Sequence, residues 1–113
     1  MRVVKKKIRL ILDDVVERLV REYQPEQAIL YGSYAYGTPN EESDIDIFIV
    51  KETNGRPVDR IVEVMRLLFI PGRDVSIEPL VYTPGEISER LNMHDPFLSE
   101  ILVKGRVIYK RVG

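Results

Sequence analysis

Two aspartates, Asp44 and Asp46, stand one residue apart at the start of the apolar run DIDIFIV. Side chains of a strand alternate between its two faces, so both carboxylates should point the same way, about 7 Å apart, with Ile45 on the opposite face. Carboxylates at this separation suit Mg²⁺, which takes one or two of them and completes its octahedron with water and substrate phosphates. The spacing therefore predicts a magnesium site that acts on a phosphate group.

A Gly-Ser pair, Gly32 and Ser33, precedes the aspartates, and the polar linker Gly37–Glu42 lies between them. Glycine lets the backbone approach a phosphate closely, and the serine can offer a hydroxyl and an N–H at the start of a short helical turn. A phosphate bound there would be joined by the metal to the two aspartates. The simpler interpretation also stands: both glycines serve a turn, and Ser43 orders the loop by a local hydrogen bond.

The composition excludes several other kinds of site. With 113 residues the chain fits one domain, residues 1–113. Lysine and arginine total 17 against 18 acidic residues, which gives no strong signal for nucleic acid or for a membrane surface. The absence of cysteine excludes disulfides and thiolate chemistry, and the single histidine, His94, argues against a zinc site of nitrogen and sulfur ligands. A metal would have to be held by oxygen.

The basic start MRVVKKKIRL is followed by acidic residues within the apolar pattern, unlike the apolar core of a signal peptide. No apolar run approaches the length of a membrane span. We therefore expect a cytoplasmic protein.

Periodicity and turn residues predict four helices and four strands. Thr83 and Pro84 are suited to the cap and first turn of a helix, Gly105 to a left-handed helix end, and Pro79 to an edge strand or a bulge. The elements in order are a helix over residues 5–23, strands over Gln27–Tyr31 and Asp44–Val50, a helix over Val58–Leu68, a strand over Asp74–Tyr82, helices from Thr83-Pro84 to Leu91 and over Pro96–Lys104, and a strand over RVIYK. This order predicts an α+β fold, an α/β sandwich with a small mixed sheet flanked by helices.

The segment from Gly32 to Val50 resembles a known signature. Gly32-Ser33, the following Gly37 and the run SDIDI at residues 43–47 look like the signature of the nucleotidyltransferase superfamily that includes DNA polymerase β. The small size makes the chain most similar to the minimal nucleotidyltransferases, or MNT domains, which often act beside a HEPN-domain partner. The first helix and the ending EILVKGRVIYK also look like that family, so the likeness covers most of the chain.

The resemblance implies transfer of a nucleoside monophosphate, AMP from ATP, to a hydroxyl group with release of pyrophosphate. It further implies two Mg²⁺ ions on Asp44, Asp46 and a third carboxylate from a later strand. Glu78 stands at that place in IEPLVYTP and could also take the acceptor's proton, while Asp74 on the same strand face is the second candidate.

The nucleotide phosphates would be held by Gly32 and Ser33, with Ser43 as a further binding residue. Tyr34 and Tyr36 stand where many relatives carry arginine. Weaker neutralisation of the phosphates should then give modest activity, or a tyrosine should stack or hydrogen-bond instead.

Three functions remain open at this stage. By resemblance, the first is an antitoxin that adenylylates a HEPN-type toxin partner. The second is a non-catalytic nucleotide- or protein-binding module that occludes such a partner. The third keeps the chemistry and uses a small-molecule acceptor of the aminoglycoside type. The sequence is compatible both with a homo-oligomer and with a complex containing another protein.

Overall fold

The computed structural model of the protein describes residues 2–40 and 42–112. Within these residues every predicted helix and strand is present, with ends shifted by three residues or fewer. The elements are α1 (Arg2–Glu22), β1 (Gln27–Tyr31), a single 3₁₀ turn (Gly32–Tyr34), β2 (Ile45–Val50), α2 (Pro57–Leu68), β3 (Ile77–Tyr82), α3 (Pro84–Asn92), α4 (Pro96–Lys104) and β4 (Arg106–Lys110). No helix in the described ranges combines the length and apolarity needed to cross a membrane.

The strands of the described chain form one mixed sheet in the order β3-β2-β1-β4. β1 lies between β2 and β4 and is antiparallel to both, whereas β3 is parallel to β2. The chain reaches the parallel position of β3 through α2, as a crossover requires. β3 is an edge strand, so the prediction made from Pro79 is confirmed.

Helices cover both faces of this sheet, which confirms the predicted α+β sandwich. One face carries Ile45, Ile47 and Ile49 of β2 and packs against α1 and α2. The other carries Phe48 and Val50 and packs against α3 and α4. Asp46 belongs to this second face by the alternation of the strand. The side of the sheet that carries the aspartate is therefore the side covered by the two short helices.

The start of α3 has the predicted cap. Thr83 Oγ1 accepts a hydrogen bond from the Glu86 backbone N–H (3.1 Å), and Glu86 Oε1 accepts one from the Thr83 backbone N–H (2.8 Å). Pro84 occupies the first helical turn, where its missing N–H costs nothing. This reciprocal pair fixes where β3 ends and α3 begins.

The left-handed conformation predicted for Gly105 is wrong. Its φ of −65° and ψ of 159° are extended. The reason for glycine is space: a Cβ atom at this position would overlap the Ile101 carbonyl oxygen and lie 2.6 Å from Ile29 Cγ2. Gly105 therefore allows the end of α4 to lie directly against β1.

In α2 a charged residue is buried and several apolar residues are exposed, the reverse of the usual pattern. Arg60 is buried, whereas Val58, Val62 and Met65 on the same helix are exposed. The Arg60 guanidinium donates to the Gly55 carbonyl through Nε (2.7 Å) and to Glu86 Oε1 through Nη1 (2.7 Å). These bonds tie α2 to the start of α3 and compensate the burial of the charge.

We expect Glu86→Gln to destabilise the fold by about 1 kcal/mol at neutral pH, a value that allows for the partial exposure of Glu86. The hydrogen bond from Arg60 lowers the pKa of Glu86 below its usual value. A lowered carboxyl pKa stabilises the folded state above the unfolded pKa, and this contribution is lost as the pH falls through the folded value. Urea unfolding of both proteins across the acidic range checks this. A constant difference at every pH would contradict it.

Candidate active site

The parallel register of β2 and β3 aligns two of the predicted site residues. Asp46 is paired with Glu78 on one side and with Tyr31 of β1 on the other. Paired residues of adjacent strands point to the same face, so the three side chains form a row across the sheet. Asp46 is half-buried, and Glu78 is exposed at the sheet edge. The site is thus closed on the β1 side and open beyond β3.

Asp44 lies immediately before β2 and completes the group. A hydrogen bond between the Asp44 and Glu78 side chains, followed by the charge of Asp44, raises the pKa of Glu78. Burial, and then the charge of Asp44, raises the pKa of Asp46. Like charges this close cannot all ionise freely, so the group attracts either protons or a cation. We call Asp44, Asp46 and Glu78 the carboxylate cluster.

The Gly32 backbone lies close against this cluster. Its φ of +75° is one that a residue with a side chain rarely adopts. A Cβ atom built here would overlap Asp46 Oδ2 and lie 3.2 Å from Asp46 Cγ. Both the conformation and the space at this position therefore require glycine, and they place the backbone of the 3₁₀ turn against the Asp46 carboxylate.

Ser33, in the middle of that turn, packs closely against Gly37, which follows the turn. A Cβ atom at Gly37 would stand 2.7 Å from Ser33 Cα. Both residues also line a cavity of about 700 Å³ between α1, the loop and β4, whose wall includes Arg9 and Arg106. Two arginines and the acidic Asp13 therefore line the α1 side of the turn.

Ser43 makes local hydrogen bonds within the loop, which was the simpler of the two interpretations of this residue. Its Oγ accepts a hydrogen bond from the Asn40 backbone N–H (2.8 Å), and its own N–H donates to the Asn40 carbonyl (3.1 Å). The Tyr34 hydroxyl reaches the Ser43 carbonyl at 3.5 Å. Ser43 therefore orders the loop that leads into Asp44.

Asp74 is separated from the cluster. It precedes β3, is exposed, and its carboxylate contacts Lys7 Nζ of α1. The hydrogen bond from Lys7 lowers the pKa of Asp74, in the opposite direction to Glu78. Of the two candidates for the third carboxylate, only Glu78 lies in register with Asp46.

Comparison with known protein families gives a match to the nucleotidyltransferase domain over residues 12–109. The chain belongs to this family. The match begins within α1 and ends within β4, so it includes the Gly-Ser turn and all three members of the carboxylate cluster.

Several relatives of this nucleotidyltransferase come from Methanocaldococcus jannaschii. "Putative protein adenylyltransferase MJ1305" is 31% identical over 111 residues, which cover 94% of this chain and 74% of the relative. "Putative protein adenylyltransferase MJ0604" is 35% identical over 81 residues, covering 72% of this chain and 75% of the relative. A crystal structure from Sulfolobus solfataricus, described as a putative nucleotidyltransferase, superposes with a TM-score of 0.62 at 25% identity, covering 98% of this chain and 89% of the other.

Two aromatic residues that the sequence analysis did not identify, Tyr31 and Phe97, border the site of the nucleotidyltransferase. We call them the aromatic rim. Burial, then the charges of Asp46 and Glu78, raises the pKa of Tyr31, and the hydroxyls of Tyr36 and Tyr82 add to this shift. The Tyr31 ring meets Phe97 of α4 edge to face at 6.0 Å. Tyr31 is the last residue of the buried strand β1 and directly precedes Gly32. This position next to the Gly-Ser turn was the one feature of the sequence that could have indicated its place at the site.

Tyr36 brings a cation towards this rim. Lys104 Nζ lies 5.9 Å from the centroid of the Tyr36 ring, within the range of a cation–π contact. Lys104 is the last residue of α4, and the close packing of the next residue, Gly105, against β1 fixes this end of the helix. Lys104 Nζ also lies 3.7 Å from Glu100 Oε1, so the positive charge beside the loop is partly paired within α4.

The carboxylate cluster fits a hard divalent cation by its chemistry. Oxygen-only donors suit Mg²⁺. The pKa of Asp46 is raised by burial and then by the charge of Asp44, and the pKa of Glu78 by its hydrogen bond to Asp44 and then by the charge of Asp44; a bound cation would offset the repulsion in both cases. In the described residues no three Asp, Glu or His side chains are already gathered as a finished ligand set. The Asp44 carboxyl group lies close enough to Glu78 to be the main cause of its raised pKa.

Proposed function

We propose that this nucleotidyltransferase transfers AMP from ATP to a hydroxyl group of a protein, with Mg²⁺ held by Asp44, Asp46 and Glu78. The observation that supports this most is the register of Asp46 with Glu78, because it joins two carboxylates far apart in sequence at the open end of one sheet. The protein acceptor is suggested by the relatives from M. jannaschii, whose names describe protein adenylyltransferases.

The chain's own groups have separate tasks in this reaction. Gly32 and Ser33 bind the terminal phosphates through the 3₁₀ turn, and Lys104, Arg9 and Arg106 supply positive charge on the two sides of it. The acceptor oxygen forms a bond to the α-phosphorus, and the bond to the β-phosphate oxygen breaks. Pyrophosphate leaves with that electron pair.

The proton of the acceptor hydroxyl passes to Glu78, whose exposed carboxylate at the sheet edge can be reached by an incoming acceptor. When bound at Asp44, Asp46 and Glu78, two Mg²⁺ ions would supply charge stabilisation for the attacking and leaving oxygens. Tyr31, held between Phe97 and Asp46, forms the wall that keeps water from the buried side of the site.

The acceptor that fits the family resemblance is a HEPN-domain toxin, which this chain would neutralise as an antitoxin. An exposed Glu78 and the exposed Phe97 beside Tyr31 leave the open side of the site free for a macromolecule. We therefore propose that the acceptor protein completes the site.

Mg²⁺ is expected to raise the melting temperature of the protein, because a ligand that binds only the folded state stabilises it by mass action. At saturating Mg²⁺ the shift should be several degrees, since about 1 kcal/mol changes the melting temperature of a domain of this size by about 4–8 °C. Differential scanning fluorimetry with and without Mg²⁺ measures this. An Asp44→Asn/Asp46→Asn double variant is the control, and an equal shift in that variant would contradict binding at the cluster.

The proposed activity is tested by adding ATP labelled at the α-phosphate to the purified protein in a lysate of its source cells. A labelled macromolecule that requires both Mg²⁺ and the two aspartates would support transfer to a protein and would reveal the acceptor by mass spectrometry. Label on a small molecule instead would favour an aminoglycoside-type acceptor. Absence of labelling in every fraction would contradict the proposal.

A second candidate is a non-catalytic antitoxin-like module that binds a nucleotide or a protein. It is favoured by the cation-free loop, in which Tyr34 and Tyr36 cannot neutralise phosphates. Neutralisation of a co-expressed toxin partner by the Asp44→Asn/Asp46→Asn variant would support binding alone, whereas loss of neutralisation with unchanged binding would support catalysis.

A further inference from the structure

The outward face of α2 carries an apolar stripe on a helix that buries an arginine on its inner face. Val58, Val62, Met65 and Phe69, which caps the helix, are 57%, 40%, 50% and 69% exposed. Their separations of four, three and four residues align them along one side of the helix over about 16 Å. Exposed apolar residues that line up in this way mark an interaction surface, whereas scattered ones do not. We call these four residues the α2 stripe.

The α2 stripe is self-complementary. Two copies of α2 placed antiparallel, with a twofold axis beside residues 63 and 64, would bring Val58 opposite Phe69 of the second copy and Val62 opposite Met65. The 4-3-4 spacing is that of the seam between two packed helices. Large residues then face smaller ones at each of the positions along the seam, as close packing requires.

Charges beside the stripe agree with the same pairing. Asp59 follows Val58 and Arg66 follows Met65, so both flank the seam on one side of it. In the antiparallel arrangement Arg66 of each copy would approach Asp59 of the other, which gives two equivalent ion pairs. Asp59 lies within the same chain 2.8 Å from Arg56 Nε, whereas Arg66 makes no ion pair with any other described residue.

We infer that a second copy of this chain docks through the α2 stripe to form an antiparallel twofold dimer. α2 covers the isoleucine face of β2, whereas Asp46 and Glu78 lie on the opposite face of the sheet. Dimerisation therefore leaves both carboxylate clusters open and does not depend on the proposed transferase activity. The short seam and the solvent-exposed ion pairs predict association that rises with protein concentration.

Sedimentation equilibrium over a wide range of protein concentration tests the dimer. The wild type is expected to approach twice the 13.1 kDa chain mass, and Val62→Lys and Met65→Lys are expected to remain monomeric. Val20→Lys is the matched control, because Val20 is also on a helix and is 39% exposed, close to the 40% of Val62. This control should associate like the wild type. A wild type that stays monomeric up to its solubility limit would overturn the inference.

Charge exchange distinguishes a second copy from any other partner. Asp59→Arg alone and Arg66→Asp alone should each weaken dimerisation about tenfold, since two favourable pairs become two repulsive ones. The double variant should recover most of this loss, because it restores opposite charges across the seam. Circular dichroism confirms that each variant is folded before it is compared. A double variant that associates no better than the single variants would overturn the antiparallel arrangement. Transferase activity is expected to be the same in all of these variants, because α2 lies on the opposite face of the sheet from the carboxylate cluster.

Discussion

Asp46→Asn is expected to lower nucleotidyl transfer by at least about 10³-fold, the scale found when one essential member of a catalytic group is removed. Asp46 lies at the centre of the carboxylate cluster, between Glu78 and Tyr31. The amide keeps the shape of the side chain but removes the charge that would hold a cation next to the Gly32 backbone. Initial rates of label transfer from α-labelled ATP measure the effect.

The same substitution is expected to stabilise the fold at neutral pH by about 0.2–1 kcal/mol, because like charges facing each other across strands are destabilising. Burial and the charge of Asp44 raise the pKa of Asp46, so the folded state holds this proton more tightly than the unfolded chain. The gain should therefore appear as the pH rises through the folded pKa, and it should vanish in acid below the unfolded pKa. Loss of activity together with loss of stability at neutral pH would indicate a structural defect and contradict this account.

Gly32→Ala is expected to reduce transfer by at least about 100-fold, since misplacement of reacting groups by about 1 Å has effects of that size. The new Cβ would overlap Asp46 Oδ2, so either the carboxylate or the 3₁₀ turn must move. The positive φ adds a conformational cost of about 1–2 kcal/mol. Thermal unfolding and initial rates, measured on the same preparation, separate the two effects.

Gly72→Ala provides the matched control for that experiment. Gly72 has a φ of +82°, close to the +75° of Gly32, but a Cβ atom there would meet no atom within 4 Å. The two variants should lose comparable stability from the backbone, while only the change at Gly32 should affect transfer. Equal activities for the two variants would contradict a positioning role for Gly32 at the carboxylate.

The local parts of the fold were predictable because short-range patterns fix them. The alternation in DIDIFIV placed Asp46 and Phe48 on one face and the isoleucines on the other, and the two faces pack as predicted. Thr83, Pro84 and Glu86 form a cap that depends only on residues adjacent in sequence. The Gly-Ser turn and its spacing from the aspartates were sufficient for the family.

The long-range parts of the fold were not predictable, because the sequence of one strand does not specify which strand pairs with it. Nothing local indicates that β3 pairs in parallel with β2, so the sequence could not show that Glu78, and not Asp74, lies in register with Asp46. Gly105 was misassigned because a glycine after a helix can serve either a left-handed turn or a close contact, and only the position of β1 decides between them. Arg60 has the polarity of a surface residue, and its burial depends on the distant Glu86.

Because β3 is an edge strand, the members of the carboxylate cluster are held by parts of the sheet that differ in local stability. Asp46 lies on the inner strand β2 and Asp44 immediately before it, whereas Glu78 lies on an edge strand that contains Pro79. Edge segments open by local fluctuation at a smaller free energy than the global transition. On warming, β3 should therefore detach while β1 and β2 remain paired, and the chemistry should fail several degrees before the secondary structure does. We therefore expect the attachment of β3, rather than the core, to limit the temperature at which the protein is active.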